Sequence, residues 1–371
     1  MILLFAVVNV ISLGQDACEF ELSEAADAID GGFLFLVSSE REQEIWLYDF
    51  NQAASNNLEM TLPIDAWGIA LSPQGDEIAF AMSNYDEVAA ELTVNLLNIE
   101  TGNTRQVFAG DADTQITQIV DLHWISESQL GFVSNGPKQQ YTIVDVNEGI
   151  AKTFRAEIPI PELNVLGGSI WGDWDIKFSP SFLNAAFLHV LDYQSTITFW
   201  NLNTKNKVDI DYQIPVRWVA NNRAYSWIDD DRFLVRNQES NWLEVSLKQN
   251  LVQKMTDAGS LFQLDSPIIA PDGSSIAFLV RDIRLDSFST MLGIWRNGEL
   301  ALSCIKTTSG QLQVNSEGWD DTSRYFVFSV YDYENAISEI YLLDVTRNQI
   351  ADLYLLDFPS TRVSALGWVD G

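Results

Sequence analysis

Large apolar and small side chains alternate through Ile78 to Ser83 (IAFAMS), after a turn-forming stretch Ser72-Pro-Gln-Gly-Asp76 and an apolar run that ends at Leu71. Alternation at a period of two predicts strands, and Pro and Gly at fixed offsets predict a tight turn between them. The phrase recurs. Ile269 to Phe278 (IAPDGSSIAF) repeats Leu71 to Phe80 (LSPQGDEIAF) at the same spacing, and weaker copies stand at Phe178 to Phe187 and Trp319 to Phe328. Copies one residue shorter run from Trp124 to Phe132 and from Trp227 to Val235.

Taking the last apolar residue of the phrase as a marker gives Phe35, Phe80, Phe132, Phe187, Val235, Phe278 and Phe328, at intervals of 43 to 55 residues. A second strand phrase follows each marker, among them Ile45 to Phe50, Val94 to Ile99, Tyr141 to Val146 and Ile340 to Val345, with an Asp or Asn near its end to start the next turn. Four short strands at this period predict an all-β chain, a seven-bladed β-propeller of four-stranded blades. The first unit lacks its first strand: Phe33 to Ser38 matches Ile78 to Ser83, the second strand of its unit. Val363 to Gly371 supplies an inner-strand phrase with nothing after it. The C-terminal strand is therefore expected to complete blade one, which removes the sheet edges an open ring would expose.

Composition changes the picture in three places. Acidic residues number 52 against 21 basic ones, a formal charge of -31, which repels phosphate backbones and anionic headgroups and argues against nucleic acid as a partner. Residues 1–14 (MILLFAVVNVISLG) are apolar and end in small residues, as a secretory signal does, and are too short to span a bilayer. The expected organisation is that signal-like segment, an acidic arm over 15–32 and a single propeller over 33–371, exported to the periplasm, cell surface or medium. Cys18 and Cys304 are the only cysteines; they form either one disulfide tying the arm to a late blade or two free thiols. Neither has metal-ligand spacing, and no metal or cofactor is expected.

The Ser-Pro-x-Gly-x-x-Ile-Ala-Phe phrase, followed by a strand ending in Leu-x-Asn/Asp and a Thr-Gly turn, resembles the TolB-type, WD-repeat-like propeller repeat. Leu71 to Phe80 with Val94 to Gly102, and Ile269 to Phe278, carry the resemblance best. Its implication is a fold; members of this kind bind proteins in the bacterial envelope or serve as the propeller half of prolyl-oligopeptidase-like enzymes. The residues in hand include no α/β segment to hold a peptidase triad.

Strand order puts the turns at Pro73 to Gly75, Pro271 to Gly273, Thr101-Gly102 and Asn297-Gly298 on one face. The opposite face receives the longer connections, with Ser83 to Glu91, Arg281 to Thr290, Tyr331 to Glu339 and Arg155 to Asp173 expected as irregular loops. Variable loops on a rigid scaffold are where binding concentrates, so a protein or peptide partner is expected there. On the inner strands, residues three and one before Leu71 and its equivalents are mostly small or charged, and strict alternation would turn them toward the axis. Asp121, His123, Asp175 and Lys177 then share one space, either as a cation or small-ligand site or as an ion pair. Trp67, Trp171 and Trp174 would rim it for a sugar or a basic peptide, or else pack beneath the loops. The Asp229-Asp-Asp231 and Asp320-Asp321 runs fit turn chemistry better than a calcium loop. With no nucleophile motif, no catalytic residue is assigned; the alternative function is a glycan-binding protein or a polysaccharide-acting enzyme using Asp121 and Asp175 as acid and base.

Overall fold

The computed structural model describes residues 20–23, 29–39, 42–86, 89–110, 118–135, 140–154, 175–181, 183–191, 194–201, 204, 206–208, 215–216, 225–237, 241–255, 262–282, 290–307, 310–313, 318–332, 337–353 and 362–369. Seven sheets, antiparallel but for one edge strand added to blade seven, form a β-propeller. Each marker sits on the second strand of its blade, and Phe35, Phe80, Phe132, Val235, Phe278 and Phe328 are buried. Among the described residues no helix is long and apolar enough to cross a membrane.

Blade one consists of Arg362–Val369 inside, then Gly32–Ser38, Glu42–Asp49 and Ala54–Pro63. Phe33 pairs with Trp368 and Val37 with Val363, so the two chain ends share one sheet as the split repeat requires. Trp368 fixes that seam. Its indole meets Phe33 edge-on at 5.3 Å and stacks on Phe50 at 5.4 Å, while its Nε1 donates to the Gly318 carbonyl of blade seven at 3.1 Å.

The same indole contact recurs around the ring. Trp124, Trp227 and Trp319 donate to the carbonyls of Ala70, Lys177 and Ile268, each one residue before the matching inner-strand position of the preceding blade. A large apolar ring fills the wedge between blades while its one polar atom satisfies a carbonyl that would otherwise be buried unpaired. Apolar clusters fill the gaps between blades one and two, two and three, four and five, five and six, six and seven, and seven and one.

Blades four and seven exceed the expected four strands. Pro215–Val216 pairs with Gln194–Asn201 in blade four, and Glu21–Ser23 from the acidic arm runs parallel to Gln349–Leu353 at the outer edge of blade seven. Cys18 lies outside the described residues, and with it the question of a pairing with Cys304.

Candidate functional site

The turn-bearing face is closed by its own hydrogen bonds. At the end of the third strand, Asp49, Asp145 and Asp344 each accept backbone N–H groups two and three residues on, and Asn98 and Asn201 accept from Thr101 and Thr204. Between the first and second strands, Asp229 Oδ1 accepts from the backbone of Asp231 and Arg232, and Asp320 Oδ1 from that of Arg324 and Tyr325. These acidic runs are turn residues, as their order in the sequence implied. Other contacts on this face join neighbouring blades: Ser181 N–H donates to Asp230 at 2.9 Å, and Asp272 N–H donates to Ser323 Oγ at 3.0 Å. Burial by itself would raise the Asp230 carboxyl, yet hydrogen bonds from Ser179 and Ser181 hold it below the ordinary carboxylate range.

On the opposite face, blade two is more regular than the sequence suggests. Ser83 to Glu91, expected as an irregular loop, is a hairpin paired to its tip, Asp86 with Ala89, so that Glu77–Asp86 and Ala89–Asn98 extend blade two on that side. Residues 333–336 and 283–289, and the 155–174 connection, lie outside the described set.

Strict alternation does not run through the inner strands. In blade two the register advances three residues, Trp67 to Ala70, against two, Ala81 to Ala79; in blade three Val120 to His123 opposes Val133 to Gly131; in blade six Asp265 to Ile268 opposes Leu279 to Ala277. Each step is a β-bulge, which re-aims the residues inside it. Gly68 and Ser266 occupy equivalent places with φ of 58° and 52°. A left-handed residue costs little as Gly and about 1 kcal/mol as Ser, so the position is set by the blade geometry and not by the side chain.

Asp121 falls in the blade-three bulge, and its side chain, like that of Asp175, lies outside the described set, as do Trp171 and Trp174 entirely. His123 is half-buried two residues past Asp121. Lys177 is half-buried with its ammonium 5.6 Å from the Tyr225 ring centroid, a cation–π contact from blade four to blade five. Trp67 packs into the core between blades two and three, and its Nε1 donates to the Ile119 carbonyl at 2.9 Å. Sequence reasoning missed a polar group at the loop-bearing end of blades five and six. There Arg236, 1% exposed at its side chain, pairs with Asp265, which also accepts Gln263 Nε2 at 2.7 Å. The available signal was an Arg closing the apolar run Phe233 to Val235. The pair joins blade five to blade six toward the face opposite the tight turns.

Comparison with family models and with curated protein sequences returned no match. Solved structures share the fold. The β-propeller domain of the Trilobed protease from Pyrococcus furiosus is 12% identical with a TM-score of 0.57, over 89% of this chain and all of that one. An oligogalacturonate lyase from Vibrio parahaemolyticus is 11% identical with a TM-score of 0.53, over 89% of this chain and 86% of the other. TolB from Acinetobacter baumannii is 14% identical with a TM-score of 0.47, over 90% and 81%. At such identities the likeness is one of fold, and this fold hosts peptidase-associated, lyase and other proteins alike. The chain is a seven-bladed β-propeller whose blade one is completed by its own C-terminal strand.

Proposed function

We propose that this propeller is an exported binding protein that presents its loop-bearing face to a protein or peptide partner. The observation that carries the reading is the inequality of the two faces. On the turn face the carboxylates of Asp49, Asp145, Asp229, Asp230, Asp320 and Asp344 are spent on turns and blade contacts. The other face carries the extended blade-two hairpin, and toward it the buried Arg236 of blade five pairs with Asp265 of blade six. A charge of -31 favours a partner with basic groups, whose association would weaken as salt screens the field. The apolar N-terminal segment supports export.

The test uses Asp121→Asn with Asp175→Asn in the full chain. Binding partners recovered equally by wild type and variant, lost on replacing Tyr85 and Asp86 at the hairpin, support the interaction face. Turnover of a glycan panel by wild type that the variant loses would replace this proposal with an acid–base enzyme.

A further inference from the structure

The N-terminal arm crosses blade seven in a way that the blade count does not require. Phe20, 2% exposed, belongs to the apolar cluster between blades six and seven with Leu292, Ile294, Trp319 and Phe326. Ile29, 8% exposed, belongs to the cluster between blades seven and one with Phe33, Phe50, Val327 and Leu342. Between those anchors, Glu21–Ser23 pairs in parallel with Gln349–Leu353, matching Glu21 to Gln349 and Ser23 to Ala351. Phe20 thus sits in one gap, Glu21–Ser23 on the outer edge of blade seven, and Ile29 in the next gap. Meanwhile the C-terminal strand leaves blade seven to become the innermost strand of blade one. The N-terminal arm thus joins the last blade, and the C-terminal strand joins the first.

We propose that the arm is a displaceable strap: the outer edge of blade seven is an acceptor for an extended segment with an aromatic at its start, and the arm is its resident occupant. Three features carry this. An outermost strand offers a row of unpaired backbone groups that another strand can take. Among the described residues the pairing is three residues long, so its hold depends on the flanking anchors. The aromatic anchor enters a gap already lined by apolar side chains from both blades, which an incoming segment would meet in the same form. A second copy of this chain carries the same arm, so exchange between copies follows the same register.

The test replaces Phe20 by Asp in the full chain, with Phe20→Leu as the conservative control, and follows amide hydrogen exchange. The strap predicts at least tenfold faster exchange across Gln349–Leu353 in Phe20→Asp, near wild-type exchange in Phe20→Leu, and unchanged exchange in blades two to five. Adding a synthetic peptide of residues 18–28 to Phe20→Asp is expected to restore protection, and the same peptide with Ala at position 20 is not. Unchanged exchange at Gln349–Leu353, or acceleration spread evenly over all blades, overturns the strap. Faster local exchange that the peptide does not reverse overturns the acceptor.

Discussion

Replacing Trp368 with Ala tests the ring seam at a side chain that touches both blades beside it. The indole touches Phe33, Phe50 and Tyr325 and donates to Gly318. Trp368 is half-buried. Truncating a fully buried Trp typically costs about 3–5 kcal/mol, so Trp368→Ala is expected to cost about 2–4 kcal/mol, the Gly318 carbonyl left without its donor accounting for roughly 1 kcal/mol of that. Trp368→Phe separates the two effects: it keeps a ring in the gap and loses the N–H, for an expected cost of about 1–2 kcal/mol. Stability is read from urea unfolding followed by far-UV circular dichroism, because the 12 tryptophans blur a fluorescence signal. Ile64→Ala, at a residue 49% exposed, is the control and should fall within about 0.5 kcal/mol of wild type. A Trp368→Ala cost below about 1 kcal/mol, or one matching the Ile64 control, would refute a seam that depends on this contact.

Further outcomes follow from single residues. Gly75 has φ of 73°, and a Cβ there would lie 2.9 Å from Val369 Cγ1 on the C-terminal strand, so Gly75→Ala should lower stability by about 1–3 kcal/mol, measured by the same urea titration. Burial pushes the Asp344 carboxyl up, but hydrogen bonds from Arg324, Thr346 and the Arg347 backbone outweigh it and hold the pKa below the ordinary value. Its contribution is therefore present above the unfolded carboxylate pKa of about 4 and lost as pH falls through the lower folded value; Asp344→Asn should cost about 1 kcal/mol at pH 7, with the difference from wild type vanishing in acid. Asp352 behaves oppositely, since burial and then the Glu339 charge raise its pKa, so the charged form is disfavoured in the fold. Asp352→Asn should be at least as stable as wild type at pH 7, with any gain lost below the unfolded carboxylate pKa, and thermal unfolding across pH checks both signs.

Much of the ring was legible because the repeat writes the same demands in each blade. An alternating strand needs an apolar marker, and a tight turn needs Pro-x-Gly or Asx chemistry, so Phe80, Phe278 and Asp344 announce their places. Closure was legible because a unit missing its first strand at Phe33 must find one elsewhere, and Trp368 was the spare. The bulges were not, since Gly68, Asp121 and Ser266 share no residue type: backbone twist sets the extra residue, not a side-chain preference. The strap was hidden for a different reason, a short pairing inside an acidic run whose one aromatic is Phe20. The Ser83 to Glu91 hairpin misled because Asn, Asp and Glu there resemble loop composition, while cross-strand pairing with its neighbour overrides propensity. Arg236 and Asp265 lie 29 residues apart on different blades, and only the packing of blade five on blade six brings them together.

The central structural claim is that both ends of the chain share one sheet, and a site-specific cross-link measures it most directly. In a chain with Cys18 and Cys304 replaced by Ser, cysteines at Ser38 and Arg362, which pair across the seam, should be joined by a short bismaleimide as readily as cysteines at Asp49 and Ala54 within the same blade. Efficient joining of the control pair with none between positions 38 and 362 would contradict the closed ring.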